Sequence, residues 1–89
     1  MSVSQHAFGN ALPRLIKANM RPSPTLVRII YKNSYVDYPY NGLNARKQFL
    51  LKRYKGKFVC MARRLQRDDG SIVLILVLDD VYHEYPNGE

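Results

Sequence analysis

Ile72-Val73-Leu74-Ile75-Leu76-Val77-Leu78 is an unbroken run of seven apolar side chains, introduced by Gly70-Ser71 and closed by Asp79-Asp80. A strand exposed on one face alternates apolar and polar residues. This one does not, and four of its seven residues are Ile or Val, so it reads as a strand covered on both faces. At ~3.3 Å per residue it spans roughly 23 Å, and as a helix it falls far short of the about 20 residues a bilayer requires. It is the expected central strand of a sheet. A charge placed at Ile75 is expected to unfold the domain by stranding that charge in the core.

Working outward, 89 residues with 46% hydrophobic content suit one domain with a modest core. The single cysteine, Cys60, excludes an internal disulfide framework and a cysteine-based zinc site. No charged-then-apolar leader opens the sequence and no segment is long enough to span a bilayer, so the expected setting is cytoplasmic. All 14 Lys and Arg lie in residues 1–67, where Asp37 is the one acid. Residues 68–89 carry six acids and no Lys or Arg, which leaves a formal net charge of +7. A basic body with an acidic end predicts a polyanionic partner, nucleic acid before others. The plainer reading is a solvated basic surface.

Residues 1–9 are of mixed character; a helix starting at Ser4 is weakened by Gly9. Asn10 is a better N-cap, Pro13 fits a first turn, and Leu12, Leu15, Ile16 and Asn19 or Met20 keep helical spacing, with Arg14 and Lys17 on the other side. Ser23 and Pro24 then suit the N-cap and first position of a second helix, on which Leu26, Val27, Ile30 and Tyr31 share a face and Asn33 supplies a left-handed end. A strand competes there, since Val27, Ile29, Ile30 and Tyr31 all favour sheets. Residues 34–42 read as a short edge strand, because Pro39 would break a central one, ending at Asn41-Gly42.

Residues 43–54 admit two readings. Asn44 followed by Ala-Arg-Lys-Gln-Phe-Leu-Leu-Lys-Arg-Tyr, with Gly56 beyond, fits a capped helix. The favoured alternative is a hairpin, with strand 47–54 turning at Lys55-Gly56 into strand 57–65. That pairing puts Phe49, Leu51, Phe58, Cys60 and Ala62 on one apolar face, and Gln48, Lys52, Tyr54, Lys57 and Arg63 on the other. Arg67-Asp68-Asp69-Gly70 makes the next turn, and 86–89 reads as a loose tail. The expected fold is α+β: two N-terminal helices packed on an antiparallel meander of about four strands.

Ser4-Gln5-His6-Ala7 is similar to the Ser/Thr-x-His-Ala helix that opens several small RelE- and BrnT-type toxin domains. Those domains share a fold group with barnase-like and colicin-type ribonucleases. The runs Gln48-Phe49-Leu50-Leu51, Gly56-Lys57-Phe58-Val59-Cys60-Met61 and Ser71-Ile72-Val73-Leu74-Ile75 stand where that group has its successive strands. The resemblance covers most of the chain as pattern. Two positions depart from it: the Arg expected soon after His-Ala is displaced to Arg14, and Asp79-Asp80 replaces the polar or basic residue at the end of the last strand. The resemblance implies a metal-independent endoribonuclease acting as a toxin, with an acidic antitoxin segment covering its basic face, and it makes His6 the candidate acid/base.

Such cleavage needs an acceptor for the 2′-OH proton, cations for the developing phosphorane charge and a proton donor for the leaving oxygen. With His6, the candidate catalytic set is completed by Arg63 and Lys57, which would hold the phosphate. Arg14, Lys52, Arg53, Tyr54 and Arg64 are candidate nucleic-acid contacts, Tyr54 by stacking on a base. His83 lies among acids, where phosphate is repelled, and reads as a tail residue. Cys60 reads as core. No cofactor is expected, since there is no phosphate-cradling glycine loop or Cys/His zinc spacing, and Asp68-Asp69 and Asp79-Asp80 are neighbours that point apart on strands. Two other classes fit the same residues: a non-enzymatic nucleic-acid-binding regulator of phage or plasmid origin, and an interaction or inhibitor module with tyrosines at its contact surface.

Overall fold

The 72–78 run occupies the middle of β4, residues Ile72–Asp79, which lies between two other strands of a four-stranded sheet. The computed structural model describes residues 6–17 and 23–83. In chain order, the elements are α1 (Phe8–Lys17), β1 (Leu26–Tyr31), β2 (Ser34–Pro39), a single 3-10 turn (Tyr40–Gly42), α2 (Lys47–Arg53), β3 (Phe58–Gln66) and β4. The sheet order is β2-β1-β4-β3. The β1–β2 and β3–β4 pairs are antiparallel, whereas β1 and β4 run parallel. The fold is α+β with a mixed sheet, which corrects the expected meander.

Both helices pack on one face of this sheet. Leu74, Leu76 and Leu78 of β4 meet Val27 and Ile29 of β1, Phe8, Ala11 and Leu12 of α1, Leu50 of α2 and Tyr54 just after it in one core cluster. Successive strand residues face opposite ways, so Val73, Ile75 and Val77 lie on the other face. Among the described residues no helix covers that face. Val73 is nonetheless buried, Ile75 and Val77 half-buried.

Residues 24–33, expected as a second helix, form β1 and its turn into β2. The competing strand reading is the one observed. Lys32 and Asn33 have φ of 51° and 64°, the left-handed pair that joins strands in a two-residue hairpin. Asn33 thus takes the left-handed conformation the sequence suggested, but as a hairpin residue. The reason is tertiary: β1 fills the slot beside β4, in register from Leu26↔Val73 to Tyr31↔Leu78. Its β-branched side chains pack there better than on a helix.

The favoured hairpin over 47–65 is likewise corrected. Gln, Phe, Leu, Leu, Lys and Arg are tolerable to good helix formers, and the i, i+4 pair Leu50 and Tyr54 is buried on one side of α2. Gly56, at φ 80°, follows the helix and admits the left-handed exit. Of the strands, β3 pairs only with β4, with a register shift between Val59 and Met61. That bulge changes the parity of the strand. Val59 and Ala62 face the helices, while Met61 and Arg63 face away.

Helix α1 begins at Phe8, earlier than the expected cap at Asn10, so Pro13 falls inside it. Just before it the chain adds a short bridge to β3, with Ala7 opposite Phe58. The Val59 N–H donates to the His6 carbonyl at 2.7 Å, and the Phe8 N–H to the Lys57 carbonyl at 2.9 Å. The helix start suggested at Ser4 and the tail 86–89 lie outside the described residues. Among the described residues no helix is long and apolar enough to cross a membrane.

Candidate nucleic-acid interface

Six cations and no acid occur between positions 46 and 57: Arg46, Lys47, Lys52, Arg53, Lys55 and Lys57. Burial of Leu43, Leu50 and Tyr54 fixes the inner side of this segment and turns Gln48, Phe49, Lys52, Arg53 and Lys55 outward. Phe49 is 53% exposed. At i−3, i+3 and i+4 it is surrounded by Arg46, Lys52 and Arg53, its neighbours on a helical surface.

Tyr54, expected as a stacking residue, is a core residue instead. Its ring packs against Phe8 with centroids 5.3 Å apart, and its hydroxyl lies 3.3 Å from the Tyr38 hydroxyl. Arg53 Nε donates to the Tyr54 hydroxyl at 3.3 Å, which keeps the Arg53 guanidinium above its ordinary pKa. Burial, and then the Tyr54 hydrogen bond, push the Tyr38 phenol up to about 12. Within this basic segment the aromatic ring offered to solvent is Phe49, which the hairpin reading places on the packed face. The helix reading of the same residues would have found it, since burying Leu50 and Tyr54 leaves position 49 at the margin.

No protein-family model, no curated protein and no solved structure matches the chain. The chemistry of its own surface carries the functional reading.

A cavity of about 670 Å³ opens between the start of α1, the outer end of α2 and the entry to β3. Its lining is apolar at Ala7, Leu51 and Phe58 and polar at Gln48, Lys52, Lys55 and Lys57. The Lys57 ammonium is committed elsewhere. It lies 2.7 Å from Asp80 Oδ1, which also accepts the Tyr31 hydroxyl at 2.6 Å, and Lys32 Nζ is 3.7 Å from Asp80 Oδ2. Lys57, then Tyr31, hold the Asp80 carboxyl down at about 2. Asp79 is lowered by its contact with His83 at 2.7 Å and by the Asp80 N–H.

His6 and Arg14 both line a second groove, of about 340 Å³, between α1 and β3. Its floor includes Ala11, Leu15, Val59, Ala62 and Leu76. The His6 imidazole stacks on Tyr82 with centroids 4.2 Å apart, and its Nε2 lies 3.4 Å from the Tyr82 hydroxyl. Arg64, two residues beyond Ala62, shares that face of β3. Arg63 does not: it pairs with Ile75 on the opposite face. The candidate set of His6, Arg63 and Lys57 is therefore split among the helical face, the open sheet face and the Asp80 cluster. Of the candidate contacts, Lys52 and Arg53 share α2, and Arg14 and Arg64 share the side of His6.

The open face holds its own ion pair. Arg28 donates to both oxygens of Asp37, at 2.8 and 3.0 Å, and lies 4.2 Å from the Tyr35 ring centroid. The hydrogen bonds from Arg28 lower the Asp37 carboxyl. Cys60 is buried, as its neighbours suggested, with Sγ 3.5 Å from the Val81 carbonyl. Among the described residues no three His, Cys, Asp or Glu side chains come together as metal donors.

Proposed function

We propose that this protein binds RNA through the basic surface of α2 and the turn that follows it. The observation that carries this reading is the exposed Phe49 ring set among Arg46, Lys52 and Arg53, in a segment without an acid. Cations bind phosphates of any sequence by releasing counterions. An exposed ring gives an unstacked base a platform, at about 1–3 kcal/mol per base. A helix of seven residues is about 10 Å long, enough for one or two nucleotides of a single strand. Splayed bases in loops and single strands are the usual targets of sequence-specific RNA recognition, which favours RNA over DNA.

Fluorescence anisotropy with a labelled single-stranded RNA tests the reading. Affinity should fall steeply between about 50 and 200 mM salt. The double variant Lys52→Gln/Arg53→Gln should flatten that slope, and Phe49→Ala should weaken binding while leaving the slope unchanged. A flat salt response in the native protein rejects the reading, and equal or tighter binding to DNA of the same sequence rejects the preference for RNA.

One observation favours a second reading, metal-independent cleavage of the bound RNA by a ribonuclease toxin. His6 and Arg14 share one groove, an acid/base group beside a cation for phosphorane charge. Cleavage of RNA in EDTA that disappears in His6→Ala supports it. Intact RNA after prolonged incubation rejects cleavage and leaves binding in place.

A further inference from the structure

We infer that the cavity between α1, α2 and β3 is a pocket for one nucleotide, taking the base against its apolar lining and the phosphate at Lys52 and Lys55. This inference rests on the RNA-binding reading and specifies the unit that the protein reads. At about 670 Å³ the cavity is within the roughly 300–1,000 Å³ of small-molecule clefts. Ala7, Leu51 and Phe58 provide apolar lining for a flat base, and Gln48 provides an amide able to donate to and accept from its edge. Lys52 and Lys55 are exposed at the same cavity. Among the described residues no carboxylate lines it; the Asp80 carboxylate is drawn off by Lys57, Tyr31 and Lys32.

Two glycines line the pocket. A Cβ built at Gly9 or at Gly56 meets no atom within 4 Å, so a side chain at either would extend into open space at the cavity. Gly56 has a φ of +80°, where any side chain is strained, whereas Gly9 is not in the left-handed region. Gly9 also sits in the first turn of α1, where a larger residue improves helix propensity. Gly9→Leu therefore adds bulk at the lining of the pocket without straining the backbone. It separates loss of space from loss of charge.

A nucleoside 5′-monophosphate and a nucleotide within a strand share this chemistry, and the experiment separates them. Amide chemical shifts are followed during titration with each of the four ribonucleoside 5′-monophosphates and, separately, with inorganic phosphate. RNA affinity is measured in parallel for the native protein, Gly9→Leu and Lys55→Gln. At least one monophosphate should move the Gly9, Gly56 and Lys57 amides, and phosphate alone should move them less. Gly9→Leu should abolish those shifts and weaken RNA binding about tenfold, the loss of one stacked base, and Lys55→Gln should weaken both ligands. Shifts from strand RNA but not from free monophosphates, still lost in Gly9→Leu, place the nucleotide in the pocket only as part of a strand. Phosphate shifts equal to those of every monophosphate overturn the pocket as a base site. Native RNA affinity in Gly9→Leu alongside weakened binding in Phe49→Ala overturns the pocket and leaves the RNA-binding reading standing. Monophosphate binding without any RNA binding rejects that reading and retains the pocket. If Gly9→Leu does not fold by circular dichroism, Lys55→Gln decides, since its side chain is exposed and supports no core contact.

Discussion

The Lys57 ammonium and the Asp80 carboxylate, 2.7 Å apart, join the entry of β3 to the exit of β4. Tyr31 and Lys32, where β1 turns into β2, converge on the same carboxylate. Four residues from three separate stretches of the chain thus gather at the end of the sheet where the parallel pair β1 and β4 finishes.

This cluster gives a signed pH dependence. The Asp80 carboxyl is lowered from 3.8 to about 2, so its contribution to stability is fully present above pH 3.8 and fades as pH falls towards 2. Thermal unfolding followed across that window should show a decline in the native protein that is smaller in Asp80→Asn. Asp80→Asn should also bind RNA more tightly, because Lys57 and Lys32 lose their carboxylate partner. An unchanged RNA affinity would show that these two lysines do not reach the strand.

Adjacent residues of α2 should separate folding from binding. Leu50 is fully buried, and Leu50→Ala should cost about 2–5 kcal/mol, read as a lower midpoint in urea. Phe49→Ala should stay within about 0.5 kcal/mol of the native protein while losing RNA affinity. If both variants are destabilised equally, Phe49 packs against the fold and is not an interface residue.

The difference between these neighbours also shows what the sequence discloses. The central strand was legible because seven consecutive apolar residues admit few other environments, and the edge strand because Pro39 removes a ladder donor. The existence of α1, the overall α+β class and the buried state of Cys60 followed from spacing and composition. Residues 24–33 misled because Ser23 and Pro24 mimic a helix start, while the partner that makes them a strand, β4, lies some 45 positions away. Residues 47–54 misled in the other direction, since Lys55-Gly56 serves equally as a hairpin loop or a helix exit. The bulge between Val59 and Met61 had no sequence signal at all; it puts Val59 on the same face as Ala62, which an unbroken alternation would separate, while Arg63 faces away from Ala62 as the alternation gave. Of the candidate site, the basic segment was visible as composition, but the exchange of Tyr54 for Phe49 as the exposed ring needed the helix.

The buried hydroxyl pair should be visible in the alkaline titration. Tyr38 is raised from 10 to about 12, so its neutral form supports the fold up to pH 10 and that support disappears as pH rises through 12. Ultraviolet absorbance should show one tyrosine ionising well after the exposed ones. Tyr38→Phe should remove that late phase and cost about 1 kcal/mol, the net worth of a hydrogen bond. A titration in which every tyrosine ionises together near 10 would contradict the Tyr38–Tyr54 contact.

Neighbouring positions of β4 should respond in opposite ways to a new carboxylate. Leu76 is fully buried under the helices, so Leu76→Asp strands a charge in the core and should unfold the protein. Ile75 faces the open side, half-buried, with Arg28 opposite it on β1 and Arg63 opposite it on β3. The sequence alone predicts that Ile75→Asp unfolds the domain; the register predicts that it folds, because the carboxylate enters between two guanidinium groups and favourable cross-strand charge pairs offset lost packing. Ile75→Lys, placed between the same arginines, should be less stable than Ile75→Asp. Urea midpoints of the three variants decide the matter. An Ile75→Asp protein that is as unfolded as Leu76→Asp would mean that this face of the sheet is core, closed by something the four strands and two helices do not supply.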